Sequence, residues 1–199
     1  MRKNNAWYCR QFRKKLDGAT IEYIFCYQIE QGAYNTDPVE AIVRSVAHHF
    51  RAKGFTKDDC RKLKFLEVGC GAGANLGWLA EQGVRISGND ISQEALSLCQ
   101  KVLKHKGLGK NIDTLTHGSA SDIDCPDEHF DGIIESCVFQ HLPSELRIKA
   151  FSEVVRLLKP GGLVITIAPF SLRYHKCPGD YFRFTHQGLE VLEENSIFL

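Results

Sequence analysis

The 199-residue chain predicts a doubly wound α/β fold, a mostly parallel sheet with helices on both faces. Three observations carry this. From residue 64 onward, short apolar runs alternate regularly with helical patterns, the signature of parallel βαβ units. The run Phe65-Leu-Glu-Val-Gly-Cys-Gly-Ala-Gly-Ala-Asn-Leu76 passes from an apolar strand through three closely spaced glycines into a helix. A second acid, Asp90, then closes the next strand.

Taken in order, residues 1–60 read as a helical and irregular cap, set apart from a core over residues 61–199. Within the cap, Ile21 to Ile29 is mostly apolar, and Gly32 to Thr36 reads as a loop in which Tyr34 and Asn35 can reach a ligand. Asp37-Pro-Val-Glu40 predicts a helix start, with an acceptor at the N-cap, proline first and glutamate third. Ile42, Val43, Val46 and Phe50 follow on that helix, and Gly54 ends it. In the core, Lys64–Val68 is the first strand and 75–82 the first helix. Arg85–Asp90 is the second strand, beginning at Val84, and Ser92 caps a helix to about Lys106. Residues 112–116 and 130–135 give the third and fourth strands. Ser144 caps an amphipathic helix bearing Leu146, Ala150, Val154, Leu157 and Leu158. Lys159-Pro-Gly-Gly162 stops it before an apolar fifth strand, Leu163–Ala168. Thr185 caps a last helix, and Ser196–Leu199 opens a sixth strand.

Composition narrows the function. Apolar content of 43% and charged content of 25% are globular values. A formal net charge of +1 gives no field to attract nucleic acid or an anionic membrane. The eight cysteines are scattered without a CxxC pair, and Met1 is followed by polar and basic residues rather than a leader. A cytoplasmic protein with reduced thiols is the simplest expectation. Eight histidines occur without HxxxH or HExxH spacing, so no metal site is indicated.

The glycine run is the chemical centre. Gly69, Gly71 and Gly73 remove side chains where backbone must turn sharply and a ligand must approach. Glu67 lies inside an otherwise apolar strand, a costly place for a carboxylate without something to bind. Doubly wound folds bind ligands outside the carboxyl ends of their strands, at the switch in strand order. The glycines, Asp90, Ser119-Ala120 and Glu135-Ser136 therefore gather around one cleft, where Asp90 suits a ribose diol. Gly69-x-Gly71-x-x-Ala74 formally satisfies a dinucleotide fingerprint, with an acid at about the ~20-residue distance. An NAD(P)-dependent oxidoreductase is thus the enzymatic alternative. Against it stand Glu67, the sixty-residue lead before the first strand, Gly118-Ser-Ala-Ser-Asp122 with Cys125-Pro-Asp-Glu-His-Phe-Asp131, and Lys159-Pro-Gly-Gly162.

Together, over residues 64 to 185, these motifs resemble the class I S-adenosylmethionine-dependent methyltransferases, in particular the small-molecule type 11 group with its Rossmann-like core. The resemblance implies S-adenosylmethionine as cofactor, S-adenosylhomocysteine as product and methyl transfer to O or N of a small polar acceptor. It implies that Glu67 and the backbone at Gly69 and Gly71, with Gly73 completing the loop, hold the methionine part. Asp90 would bind the ribose, Ile91 pack on adenine, and Ser119 and Ala120 meet the adenine edge. The family usually carries Asp at the position of Ser119, and Asp122 is the nearby carboxylate. Glu135 would contact the methionine amino group.

The sulfonium is already electrophilic, so alignment of the acceptor carries most of the chemistry. A base is needed only where the acceptor must lose a proton. His141 follows the fourth strand as a candidate base, although the resembling family often uses that histidine structurally. The long connection Arg173-Tyr-His-Lys-Cys-Pro-Gly-Asp-Tyr-Phe-Arg-Phe-Thr185 offers His175 and Tyr181 as catalytic candidates, and Tyr174, Asp180 and Arg183 as acceptor-binding ones. Nucleic acid is disfavoured as acceptor, because no Asn-Pro-Pro-Tyr or Asp-Pro-Pro-Tyr motif follows the fourth strand. The family sheet continues with a sixth and an antiparallel seventh strand, and this sequence stops at Leu199 just as the sixth begins. An open fifth-strand edge invites pairing, so a homodimer through that edge, or a truncated chain, is expected. The short C-terminal stretch and Ser119 also leave open a non-catalytic cofactor-binding protein or partner subunit.

Overall fold

A computed structural model describes residues 8–16, 19–27, 37–169, 185, 187–188 and 191. Strands β1 (Tyr8–Leu16) and β2 (Ala19–Tyr27) come first, then helices α1 (Glu40–Lys53) and α2 (Lys57–Cys60). The alternating part runs β3 (Lys64–Val68), α3 (Ala74–Glu81), β4 (Arg85–Asp90), α4 (Gln93–His105), β5 (Ile112–His117), β6 (Phe130–Ser136), α5 (Ser144–Leu157) and β7 (Leu158–Pro169). Among the described residues one seven-stranded sheet forms, in the order β1-β2-β7-β6-β3-β4-β5. All neighbours pair in parallel except β1 and β2. The chain leaves β3 toward β4 and β5 on one side, and β6 and β7 lie on the other. The switch point is therefore at the carboxyl end of β3, where the glycine run begins.

Each face of the sheet is sealed by its own apolar layer. Ile42, Val46 and Phe50 of α1, Leu76 and Leu79 of α3, and Leu96, Cys99 and Leu103 of α4 pack on Phe65, Ile86, Ile134 and Ile165. On the opposite face Phe151, Val154 and Leu157 of α5 pack with Phe139 on Leu66, Val68, Ile133 and Val164. Neighbouring positions of β3 thus serve different cores, which is why Phe65-Leu-Glu-Val reads as a continuous apolar run interrupted by one acid.

The expected N-terminal helical cap is helical only in its second half. Tyr8–Tyr27 is an antiparallel hairpin, registered from Tyr8 opposite Tyr27 to Leu16 opposite Ala19. That last pair brackets Asp17-Gly18, a composition that favours tight hairpins. The Ile21–Ile29 region is rich in β-branched and aromatic residues, but a short apolar run does not declare its period. The hairpin also alters the expected edge. β2 lies along β7 from Thr20 opposite Leu163 to Cys26 opposite Pro169. The strand edge that motivated a homodimer is thus paired within the chain. Residues 196–199, expected to open a further strand, lie outside the described residues.

Two caps also differ from expectation. The N-cap of α1 is Val39 rather than Asp37, and no side chain of the helix start caps it. That of α5 is Pro143, with Ser144 already helical. At α5 the shift follows proline geometry, since Pro143 is itself the residue before the helix; at α1 the extended residue is Val39, one place after Pro38. By contrast, Ser92 caps α4 as expected, accepting from the Ala95 amide at 3.2 Å. Thr185 Oγ1 accepts from the Gly188 amide at 3.1 Å. The Lys159–Gly162 run does not precede the last parallel strand. It lies inside β7, where the register with β6 shifts between Phe130 and Gly132.

Close packing between β3 and β6 yields a prediction. A Cβ on Gly132 would fall 2.2 Å from the Phe65 ring. Gly132→Ala should lower stability by about 1–3 kcal/mol through overpacking, read from the midpoint of urea unfolding.

Candidate cofactor and active site

The site grows from the end of β3. The backbone turns away from the sheet there, and the amides of Gly69 and Cys70 both donate to the Asn89 carbonyl of β4, at 2.8 and 3.0 Å. Gly69, Gly71 and Gly73 all have positive φ. At Gly73 this conformation combines with contact. A Cβ there would fall 2.4 Å from Cys99 Sγ, so the loop can rest on α4 only without a side chain. Gly71 is different. A Cβ on it would meet nothing within 4 Å, so its surface faces open space.

Asp90 ties this loop to the next one. Its Oδ2 accepts the Gly71 amide at 2.8 Å and its Oδ1 accepts the Ser92 amide at 2.9 Å. Each oxygen keeps a second lone pair for a hydroxyl. Beside it Ile91 is 79% exposed, a large apolar side chain left uncovered at the mouth of the loop. His117 reaches back to the Ile91 carbonyl at 2.9 Å, and Asn89 Nδ2 faces the carbonyls of Thr116 and Gly118. These contacts hold the end of β5, and with it Ser119 and Ala120, against the Asp90 turn. The Ser119 hydroxyl is already engaged with Ser121, oxygen to oxygen at 2.8 Å, and Ala120 is buried.

Glu67 is 2% exposed. Burial pushes its carboxyl up to about 8, against which the Asn75 hydrogen bond pulls down. Asn75 Nδ2 donates to its Oε1 at 2.6 Å and the Leu76 amide also favours the carboxylate, while among the described residues buried Oε2 meets no partner within hydrogen-bond geometry. Glu135 is a second buried acid, pushed up to about 7 by the same desolvation. Its Oε1 accepts the amides of Val138 and Phe139 at 2.5 and 3.1 Å, which anchors the short 3-10 turn Phe139–His141, while Oε2 has no partner among the described residues. Glu67 and Glu135 stand at the ends of neighbouring strands but serve opposite faces, since Val68 rather than Glu67 is the register partner of Glu135. His141 is half-buried, with its Nε2 3.2 Å from Gln140 Nε2.

Among the sequence-predicted residues, Glu67, Gly69, Gly71, Gly73, Asp90 and Ile91 thus converge at one loop pair. Ser119 and Ala120 border it after β5; Glu135 ends β6 and holds Val138, which lies against Gly69, while His141 sits in the turn beyond. Tyr34, Asn35, Tyr174, His175, Asp180, Tyr181 and Arg183 lie outside the described residues. Sequence reasoning missed Asn75, Asn89 and His117. Each is a polar residue at an element boundary, and only its tertiary partner distinguishes it from a solvated one.

A family model described as a methyltransferase domain matches residues 66–166, half of the chain. The chain belongs to the class I S-adenosylmethionine-dependent methyltransferases. Similar proteins include an uncharacterised protein of Haemophilus influenzae, 36% identical over 114 residues, which are 57% of this chain and 43% of that one. A phosphatidylethanolamine N-methyltransferase of Cereibacter sphaeroides is 30% identical over 128 residues, 64% of this chain and 57% of that one. The chain therefore spans about half the length of these curated relatives. Among solved structures, the [4+2]-cyclase SpnF superposes with a TM-score of 0.58 at 25% identity, covering 67% of this chain and 51% of that one.

S-adenosylmethionine is the cofactor of this family, and the residues present fit it. The orphaned Glu67 oxygen, the open surface at Gly71, the spare lone pairs of Asp90 and the uncovered Ile91 are the partners that an amino acid, a backbone-hugging chain, a ribose and an adenine require.

The buried acid sets a pH dependence. An unfolded glutamate releases its proton above about 4.3, whereas folded Glu67 holds it to about 8. The folded protein thus binds the extra proton in that window, and ligand-free stability falls as pH rises through it. Glu135 acts in the same sense up to about 7. Urea unfolding from pH 5 to 8 should show Glu67→Gln removing about 1.4 kcal/mol of this loss per pH unit.

Proposed function

We propose that this chain transfers the methyl group of S-adenosylmethionine to oxygen or nitrogen of a small polar molecule. The observation that carries this is Glu67, a buried acid with an unpartnered oxygen directly before a loop whose next contact is Asp90. A dinucleotide site has no use for that acid, while an amino-acid-bearing cofactor does. Bound there, the cofactor supplies a methyl group on a cationic sulfur. The residues of the chain do the rest by placement. Asp90 receives the ribose hydroxyls, Ile91 covers one adenine face, and Ser119-Ala120 closes the adenine edge mainly through backbone, since the serine hydroxyl is occupied. Glu67 meets the methionine end. Glu135 acts on that end through the turn it anchors, because its own carboxyl is held by the Val138 and Phe139 amides.

The candidate acceptor-side residues are His141 and those of the 173–185 connection, most of which lies outside the described residues. His141, His175 and Tyr181 are the candidate proton acceptors, and Tyr174, Asp180 and Arg183 the candidate binding groups. Where the acceptor is already a nucleophile, none of the three is needed as a base. A cytoplasmic setting suits this reading, and among the described residues no helix is long and apolar enough to cross a membrane. The Cereibacter relative favours a second reading, in which the polar acceptor atom sits on an amphipathic molecule.

Calorimetry should show S-adenosylhomocysteine binding with heat and NADH without it. Asp90→Ala should weaken the former about tenfold or more, the loss expected for hydrogen bonds to a charged group. Labelled S-adenosylmethionine offered with polar metabolites and with lipids then separates the two acceptor readings. Binding without transfer to any acceptor would instead favour a non-catalytic subunit. Once an acceptor is known, separate His141→Ala, His175→Ala and Tyr181→Phe variants identify a base by a kcat loss of roughly 100-fold.

A further inference from the structure

Asn75 occupies the first turn of α3 and is 6% exposed. Its side-chain amide is committed at both ends. Nδ2 donates to Glu67 Oε1 at 2.6 Å, and Oδ1 accepts the Val39 amide at 2.9 Å. The two bonds fix its orientation, because turning the amide would face one donor with another and one acceptor with another. Val39 is the N-cap residue of α1, and that helix start has no side-chain cap of its own. Asn75 therefore does for α1, across 36 residues of sequence, what the third-position glutamate of a capping box does elsewhere, accepting the N-cap amide.

Two further facts make this bridge more than a brace. The acid at one end carries the orphaned buried oxygen Oε2, so it is incomplete until something else pairs with it. The backbone at the other end leads into α1, whose Ile42, Val46 and Phe50 share a core with Leu76 and Leu79 of α3. A hydrogen bond to an ionised carboxylate is about twice as strong as one to the neutral acid. Bonds in such a chain also polarise one another. A cation arriving at Glu67 would draw it toward the ionised form, shortening its bond to Asn75 and tightening the hold of Asn75 on Val39.

We propose that Asn75 is a positioning residue that couples occupancy of the methionine end of the cofactor site to docking of residues 37–39 at the start of α1. This rests on the methyl-donor reading of the site. It makes the entry to α1 respond to ligand although Val39 is on neither the glycine loop nor the Asp90 turn.

Amide hydrogen exchange of the full chain tests it, read at Val39 and across the first turn of α1, with and without S-adenosylhomocysteine whose binding is followed by calorimetry. In the wild type the ligand should slow Val39 exchange about fivefold or more. Glu67→Gln keeps an acceptor for Asn75 but cannot ionise, so it should keep the ligand-free protection and lose the ligand response. Asn75→Ala should speed ligand-free exchange by a similar factor and abolish the response. Ligand binding to the wild type that leaves Val39 unchanged overturns the coupling, as does a ligand response retained in Glu67→Gln. Neither result depends on Asn75→Ala folding. Absence of any heat with the wild type would overturn the methyl-donor reading itself, and the coupling with it.

Discussion

A carboxyl group buried at the carboxyl end of β3 is the constraint around which the structure is arranged. Glu67 stands in β3 between the apolar Phe65-Leu66 and Val68, just before Gly69, where φ turns positive. A lone carboxylate there would be too costly, so the group keeps its proton to unusually high pH and borrows a donor from Asn75. Much of the surrounding geometry follows. Asn75 must open α3 to reach it, so the glycine loop must be short. A short loop brings Gly73 against Cys99, where only glycine fits.

The same compactness organises the ligand side. With Gly69 and Cys70 hydrogen bonded to Asn89, the loop lies directly over the end of β4, and Asp90 can bridge Gly71 and Ser92. An anionic side chain is thereby held by two backbone amides with capacity left for a ligand. This is preorganisation, since the donors that would otherwise reorient on binding are already in place. Ile91 is left exposed by the same turn. Among the described residues it is the most exposed large apolar side chain, and its position beside Asp90 suits a flat apolar ring.

Much of this is legible in the residue order. Lys64–Val68 is readable to the residue and Arg85–Asp90 to within one, since the sequence starts that strand at Val84; glycines and an acid punctuate both ends sharply. Ser92 is readable as a cap because its acceptor is local. The hairpin at Tyr8–Tyr27 is not, since an apolar run with scattered charges suits a helix or a strand until a partner strand is present. Nor is Val39 as the N-cap of α1, because its partner lies on another helix. The supposed open edge fails for a related reason. Its expectation rests on the residues after β7, whereas the strand that covers the edge precedes the whole core.

Residue order alone settles the alternation of strands and helices, the glycine loop, and the pairing of an internal acid with a second acid at the end of the next strand. These are local or periodic properties, set by side-chain volume, backbone freedom and hydrophobic repeat within a few residues. It took the folded arrangement to pair β2 rather than another chain with β7, to bind Glu135 to Val138 and Phe139, and to span Asn75 from Glu67 to the entry of α1. The β2–β7 pairing and the Asn75–Val39 bond join groups far apart in sequence, and the Glu135 bonds, though three and four residues long, depend on the burial of that acid. Such groups carry no periodic signature, and their partners are chosen by which surfaces the packing of the two cores brings within about 3 Å.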